Sequence, residues 1–308
     1  MIIESIPTFD KYLSSHASTI CSLNDKLLVA YFAGKYEGHR KNCIWISTKE
    51  GNEWDIPRVL FSGKSVLGRE IPCWNPVFHS TKEKLYLYFK IGKSPSLWNG
   101  FFSESLDDGE TWSKPKLLPA GIFGPMRSSP IRIDNYIVSG SSDEKYVSKM
   151  HFELSDDGYS WKKVVPICDP ALGDCIQPAI IRLSQNKLIA YARSSIGVLV
   201  STNSQDGGNS WEQVVKTEIP NPDSAIDLIS VREDFHILVY NRSTKERTPL
   251  VMAISSDGVN WNDKIIIEDG KGEYSYPSIT ISKNGIEISY TSQRKCIKHA
   301  LIETSELF

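Results

Sequence analysis

Short apolar runs alternate with polar turns along the whole chain. KLYLYF (84–89), KLIAYA (187–192) and FHILVY (235–240) are brief, β-branched or aromatic, and bounded by polar residues, the pattern of strands. No segment sustains the ~3.6-residue period of an amphipathic helix, so an all-β protein is predicted. The turns between the runs are themselves repeated. SLDDGETW (105–112) and SQDGGNSW (204–211) share Ser-x-Asp-x-Gly-x-x-Trp, and SDDGYSW (155–161) and SSDGVNW (255–261) are one residue shorter. STKEGNEW (47–54) keeps the serine, glycine and tryptophan but has Lys49 where the aspartate belongs. The tryptophans at 54, 112, 161, 211 and 261 recur about every fifty residues. Asp and Gly supply a tight turn and the indole buries a large ring beneath it.

A second repeat runs out of phase with the first. HASTI (16–20), NPVFH (75–79), SPIRI (129–133), QPAII (177–181), DSAID (223–227) and YPSIT (276–280) recur every 46 to 59 residues. Each is followed by a second strand: LLVAYFAG, LYLYFK, YIVSGS, LIAYARS, ILVYNRS and ISYTSQR. A fifty-residue all-β repeat predicts a β-propeller with four strands per blade. Six repeats predict a single six-bladed domain over 1–308, with blades near 14–68, 72–122, 126–172, 175–220, 222–270 and 272–308 plus 1–12. The N-terminal segment MIIESIPTF is expected to complete the sixth blade and remove an exposed edge. His16, Asn75, Ser129, Gln177, Asp223 and Tyr276 then occupy equivalent places around a central funnel. Loops after the second strands carry Glu37, His39, Arg40, Lys90, Lys93, Ser141, Glu144, Arg193, Asn241, Arg242, Arg247, Arg294, Lys298 and His299. Cations and carboxylates converging on one funnel favour a small anionic ligand.

Composition narrows the classes. With 308 residues, 40% hydrophobic and 23% charged, the chain can bury a sizeable core and disorder is not expected. A formal net charge of −2 gives no electrostatic footprint for nucleic acid or an anionic membrane. No apolar run approaches the ~20 residues of a transmembrane helix, and the N-terminus lacks a signal-peptide pattern, so a cytoplasmic location is expected. Six scattered cysteines show no metal-ligand spacing and read as thiols in a reducing compartment, although Cys168 and Cys175 are close enough in sequence to pair under oxidation. No zinc spacing, phosphate loop, dinucleotide fingerprint or nucleophile elbow is present, and no metal or cofactor is expected.

The repeated turns are Asp-boxes, and over nearly its whole length the chain resembles the sialidase (neuraminidase) superfamily, whose catalytic domain is a six-bladed propeller. It resembles more closely an Asp-box (BNR-repeat-like) subgroup through CWNPV (Cys73–Val77), GPMRSSPI (Gly124–Ile131), PNPDS (Pro220–Ser224) and EYSYP (Glu273–Pro277). The resemblance implies carbohydrate-active chemistry on a small acidic carbohydrate. Sialidase-type enzymes grip a carboxylate with three arginines, use a tyrosine nucleophile paired with a glutamate, and use an aspartate as acid/base. Planar guanidinium groups clamp carboxylates bidentately, and a nearby carboxylate activates a phenol whose ordinary pKa is ~10. Arg193 and Arg247 match the second and third arginines, and Tyr276 matches the nucleophile. His16-Ala17-Ser18 stands where an Arg-Ile-Pro motif opens the first blade, and Gln177 replaces the glutamate. An amide cannot accept the phenolic proton. The loop GKYEGHRKN offers Glu37 and His39 but no aspartate.

Three functions follow from these residues. The first is exo-hydrolysis of a terminal acidic sugar from a small glycan or glycoside. Arg193 and Arg247, with Arg127 or Arg294, hold the carboxylate, Tyr276 serves the oxocarbenium-like centre, and Glu273 or Glu37 handles protons. The second is β-elimination from a uronate, which suits Asn75, Gln177, His16 and Tyr276 as carboxylate neutralisers and base. The third is a non-catalytic sugar-binding propeller, with Asp223 and its equivalents as polar contacts.

Overall fold

The computed structural model describes residues 1–8, 14–145 and 148–306; positions 9–12 of the expected N-terminal blade segment lie outside them. Among the described residues strands dominate, with three single-turn 3-10 helices at Pro95–Leu97, Pro170–Leu172 and Thr304–Glu306. No helix among the described residues is long and apolar enough to cross a membrane. The chain divides into two compact units, residues 1–118 with 276–308, and residues 119–275.

In the first unit, Cys73–Ser80, Leu85–Ile91, Asn99–Ser105 and Lys116–Leu117 form one antiparallel meander. A second sheet runs Ser14–Leu23, Lys26–Gly34, Cys43–Glu50, Arg58–Lys64 and Glu70–Ile71, with Glu53–Trp54 paired to its third strand. The third sheet joins the two ends of the chain. Tyr274–Ser282, Gly285–Ser292 and Cys296–Glu303 are extended by Ile2–Ser5, which pairs antiparallel with the C-terminal strand from Ile2↔Leu301 to Ser5↔Lys298. Tyr274 is part of this strand, a correction to the placement of that residue on the preceding loop, which its alternation suggests.

The second unit holds a four-stranded sheet (Asp227–Arg232, Phe235–Asn241, Leu250–Ser255, Asn262–Glu268) and an eight-stranded one. The eight strands are two antiparallel meanders, Ile131–Val164 and Cys175–Pro220, joined by a single parallel bridge, Lys149↔Cys175. Their shared core includes Val138, Phe152, Ile180, Leu188 and Val200. Trp211 of one repeated turn stacks on Phe152, with ring centroids 3.6 Å apart and planes 10° from parallel.

Three of the repeated turns share one full hydrogen-bond scheme. In SLDDGETW, the Ser105 hydroxyl accepts from Gly109 N at 2.8 Å, the Asp107 carboxylate accepts from Thr111 N at 2.9 Å, and Trp112 Nε1 donates to Gly109 O at 2.9 Å. Ser204, Asp206 and Trp211 repeat these bonds, as do Ser155, Asp157 and Trp161. The box with Lys49 solves the same problem differently. Asp55, just past the tryptophan, accepts from Thr48 N and the Ser47 hydroxyl, and Trp54 Nε1 donates to Glu4 Oε1 at 2.9 Å. Lys49 also pairs with Glu4, and His299 bridges Glu4 and Glu287 at 2.8 and 2.6 Å. The degenerate box therefore becomes part of the charged clasp that holds the N-terminal strand. Burial works to raise the pKa of Glu4, but hydrogen bonds from Lys49, Trp54 and His299 outweigh it, and the net shift is downward.

Thr111, through its hydroxyl and its N–H, holds Asp107 at about 2, and the N–H groups of Ser160 and Tyr159 hold Asp157 at about 2, against an ordinary value of 3.8. A depressed carboxylate pKa contributes stability above the unfolded value that is lost as pH falls through the folded value. Thermal unfolding temperature is therefore expected to be level above pH ~4 and to fall between pH ~4 and ~2. Asp157→Asn keeps an acceptor but removes the titration, so its melting temperature should fall less steeply across that window, as measured by circular dichroism melts.

Candidate functional site

A common backbone distortion sets the head of the first strand in several meanders. Ala17, Asn75, Gln177, Asp223 and Tyr276 all lie in the left-handed region, with φ of 56°, 41°, 58°, 53° and 55°. Such a conformation costs a non-glycine residue about 1–2 kcal/mol. Around three of them the ladder slips. His16 pairs with Phe32 but Thr19 with Ala30, Trp74 with Lys90 but Val77 with Tyr88, and Ile176 with Arg193 but Ala179 with Tyr191. Two residues thus oppose one, which is a β-bulge. This corrects the alignment drawn from sequence. Ala17, not His16, is the equivalent of Asn75 and Gln177, and His16 corresponds to Trp74 and Ile176. Ser129, assigned to the same series, is not among the left-handed residues.

In the second unit, the predicted residues Arg193, Asp223, Arg247 and Glu273 come together. Arg193 ends the strand Leu188–Ser194, and its Nε lies 3.0 Å from Asp223 Oδ1. Arg247 donates through Nη2 to the main-chain carbonyl of Asp223 at 3.2 Å and through Nη1 to Glu273 Oε1 at 3.0 Å. The Ser275 hydroxyl donates to the same Glu273 oxygen at 2.6 Å, and Arg247 O accepts from Tyr274 N at 2.8 Å. Asp223 is itself placed by an Asn221 turn, in which Asn221 Oδ1 accepts from Ser224 N at 2.9 Å. One left-handed aspartate therefore collects two guanidinium groups brought from different sheets. Arg193 is mostly covered and Asp223 is 47% exposed, so the cluster reaches solvent from the aspartate side. Gln177 is 3% exposed, and its Oε1, like the buried Ser224 hydroxyl, has no hydrogen-bond partner among the described residues. Buried polar atoms of this kind call for water or a ligand.

Arg127, also expected to touch the ligand, is 1% exposed. Its loop is fixed by a buried carboxylate that sequence reading did not single out. Glu153 accepts from Phe123 N at 2.9 Å, Gly124 N at 2.7 Å and His151 Nε2 at 2.8 Å. No motif marks this dyad; only the burial of two alternating polar residues in MHFEL hints at it.

The first unit assembles the remaining candidates. The Tyr276 ring lies against His16, centroids 4.1 Å apart, and His16 Nδ1 hydrogen-bonds with the Thr291 hydroxyl at 3.0 Å. His16, Phe32, Trp74 and Trp98 continue as a row of rings at 5.6, 5.6 and 6.1 Å. His16, expected to act on substrate, is thus a buried packing partner of the tyrosine. Asn75 is buried as well. Glu37 forms an ion pair with Arg294, which turns with Gln293 through two left-handed residues after the strand Gly285–Ser292. Both expected proton carriers, Glu37 and Glu273, are engaged by arginines. Among the described residues, no group of three or more His, Cys, Asp or Glu side chains is arranged to hold a metal ion.

Comparison with known proteins places this geometry. The BNR repeat-like domain family matches residues 25–288. Among curated proteins, none matches the sequence. A protein of unknown function from Dyadobacter fermentans has a similar fold, with TM-score 0.79, 14% identity and 96% of each chain covered. The Hadza microbial sialidase Hz136 is similar over 95% of this chain and 66% of its own, with TM-score 0.80 and 16% identity. The sialidase of Trypanosoma rangeli in complex with the inhibitor DANA is similar over 96% of this chain and 55% of its own, with TM-score 0.76 and 15% identity. The chain therefore spans between about half and two thirds of the length of these sialidases, and at such identities the likeness is one of fold: all-β and propeller-like. With the family match covering most of its residues, the chain belongs to the BNR repeat-like domain family.

Proposed function

We propose that this protein is a carbohydrate-active enzyme that hydrolyses a terminal acidic sugar from a small glycan or glycoside. The observation that carries the reading is the convergence of Arg193 and Arg247 on Asp223. Two planar guanidinium groups brought to one point form a carboxylate clamp, and Asp223 occupies it, its carboxylate paired with Arg193 and its main-chain carbonyl accepting from Arg247. A substrate carboxylate displaces the Asp223 carboxylate from Arg193 and takes its place in the ion pair. Gln177 and Ser224, with buried unpartnered oxygens, supply neutral contacts for sugar hydroxyls. Tyr276 is the nucleophile by the likeness of EYSYP (Glu273–Pro277) to the family's nucleophile segment. Its phenolic oxygen serves the anomeric centre as the glycosidic bond breaks, and water completes the hydrolysis. Glu273 or Glu37, released when substrate draws Arg247 or Arg294 away, accepts the phenol proton of Tyr276 and passes it to the leaving group. The reading counts six blades, the eight-stranded sheet providing two because one bridge alone joins its halves.

Two outcomes are expected. With aryl glycosides of sialic and uronic acids, Arg193→Ala raises KM and lowers kcat/KM by about 10- to 100-fold, the worth of one charge-assisted pair at roughly 1.4–2.8 kcal/mol. Tyr276→Phe lowers kcat more steeply with little change in KM. Unchanged turnover in both variants, or an ultraviolet-absorbing unsaturated product in place of a hydrolysed one, sinks the proposal. Asp223→Asn tolerates the left-handed backbone, keeps the carbonyl for Arg247 and removes the competing charge. Calorimetry with free sialic acid should then show binding tighter by about three- to tenfold; equal or weaker binding contradicts the displacement step.

A further inference from the structure

Cys168 and Cys175 flank a compact turn. Asp169 Oδ1 caps the 3-10 turn Pro170–Leu172 through Ala171 N at 2.8 Å, and Gly173 leaves it with φ of 66°. The Cys175 thiol lies 3.6 and 3.8 Å from the carbonyls of Leu172 and Gly173 inside this turn. Cys168 packs against the core cluster that contains Cys175, its thiol facing the Asp169 carbonyl at 3.9 Å at the start of the same turn. Their environments differ. Cys168 is half-buried and Cys175 is 1% exposed. The turn is held from both sides, with Ile167 O accepting from Val214 N and Asp174 O from Ser195 N. A Cβ on Gly173 would lie 2.2 Å from the Ser195 hydroxyl, so this turn sits tightly against the residues that follow Arg193.

We propose that Cys168 and Cys175 form a thiol-modification site that takes a low-molecular-weight disulfide, such as glutathione disulfide, and closes to an intramolecular disulfide. The accessible Cys168 thiolate attacks one sulfur of the small disulfide. A Cys168–small-thiol bond forms as the first small thiolate leaves. The Cys175 thiolate then attacks Cys168 Sγ, forming the Cys168–Cys175 bond and expelling the second small thiolate. Two protein thiols are oxidised, one small disulfide is reduced to two thiols, and the two protein protons pass to the departing thiolates. Burial raises the pKa of the Cys175 thiol, so the second exchange is the slower one and the mixed disulfide on Cys168 accumulates first. A further pair, Cys43 and Cys73, serves as the internal control. The Cys43 thiol donates to Lys41 O at 3.3 Å, and Cys73 is fully buried.

The experiment incubates the native chain with glutathione disulfide and follows thiol titration and non-reducing peptide mapping, with no need for a substrate. The expected result is loss of two of the six thiols and a single crosslinked peptide joining Cys168 to Cys175. Cys175→Ser stops at a mixed disulfide on Cys168, and in Cys168→Ser the modification of Cys175 slows by about tenfold or more. If a core substitution prevents folding, the wild-type map decides alone. No thiol loss, a Cys43–Cys73 link, or Cys175 reacting as fast without Cys168 overturns the proposal.

Discussion

A left-handed residue at the head of a strand is the constraint on which the candidate site rests. At Ala17, Asn75 and Gln177 two residues face one across the ladder, and the strained residue is held because hydrogen-bonded pairs on both sides over-determine it. Asp223 and Tyr276 share the same backbone state. The bulge re-aims one side chain out of the alternation, so a strand that otherwise packs apolar residues presents an amide at Asn75 and at Gln177. Glycine would relieve the strain at any of these positions, yet none is glycine. The side chains are retained at a cost of about 1–2 kcal/mol each.

Electrostatics in the second unit follow from that geometry. Asp223 turns its carboxylate to Arg193 and its carbonyl to Arg247, and Arg247 is steadied by Glu273. Two cations are matched by two carboxylates, so the partly buried arginines are not left uncompensated. Fixing the guanidinium planes in advance lowers the ordering cost that a ligand would otherwise meet. The same cluster explains why Glu273, attractive as a proton carrier beside a tyrosine-rich stretch, is first of all an anchor for Arg247.

Repetition tolerates departures when neighbours supply the missing bond. Asp107, Asp157, Asp206 and Asp257 each cap their own turn. Where Lys49 replaces the aspartate, Asp55 takes over the capping and Glu4 receives both the lysine and the indole N–H. The change converts a self-contained turn into one that binds the N-terminal strand. A weak match to the repeat is therefore a place where the structure does something additional.

Alternation and turn chemistry are local, and they were readable directly. Runs such as KLIAYA and the Ser-Asp-Gly-Trp turns predict strands, and the second strands of all six segments lie where their pattern puts them. Arg193 at a strand end and Tyr276 at a strand head were legible for the same reason. The one-residue offset between His16 and Ala17 was not, because a bulge changes ladder pairing without changing composition. Nor were the partners: Thr291 for His16 is 275 residues away, Arg294 for Glu37 is 257, and Glu273 for Arg247 is 26. The sequence by itself determined the all-β repeat and the polar strand-head residues Asn75, Gln177, Asp223 and Tyr276, since both depend on neighbours a few positions apart. Only the tertiary structure decided which charge meets which, because that depends on distances across sheets that no local pattern encodes.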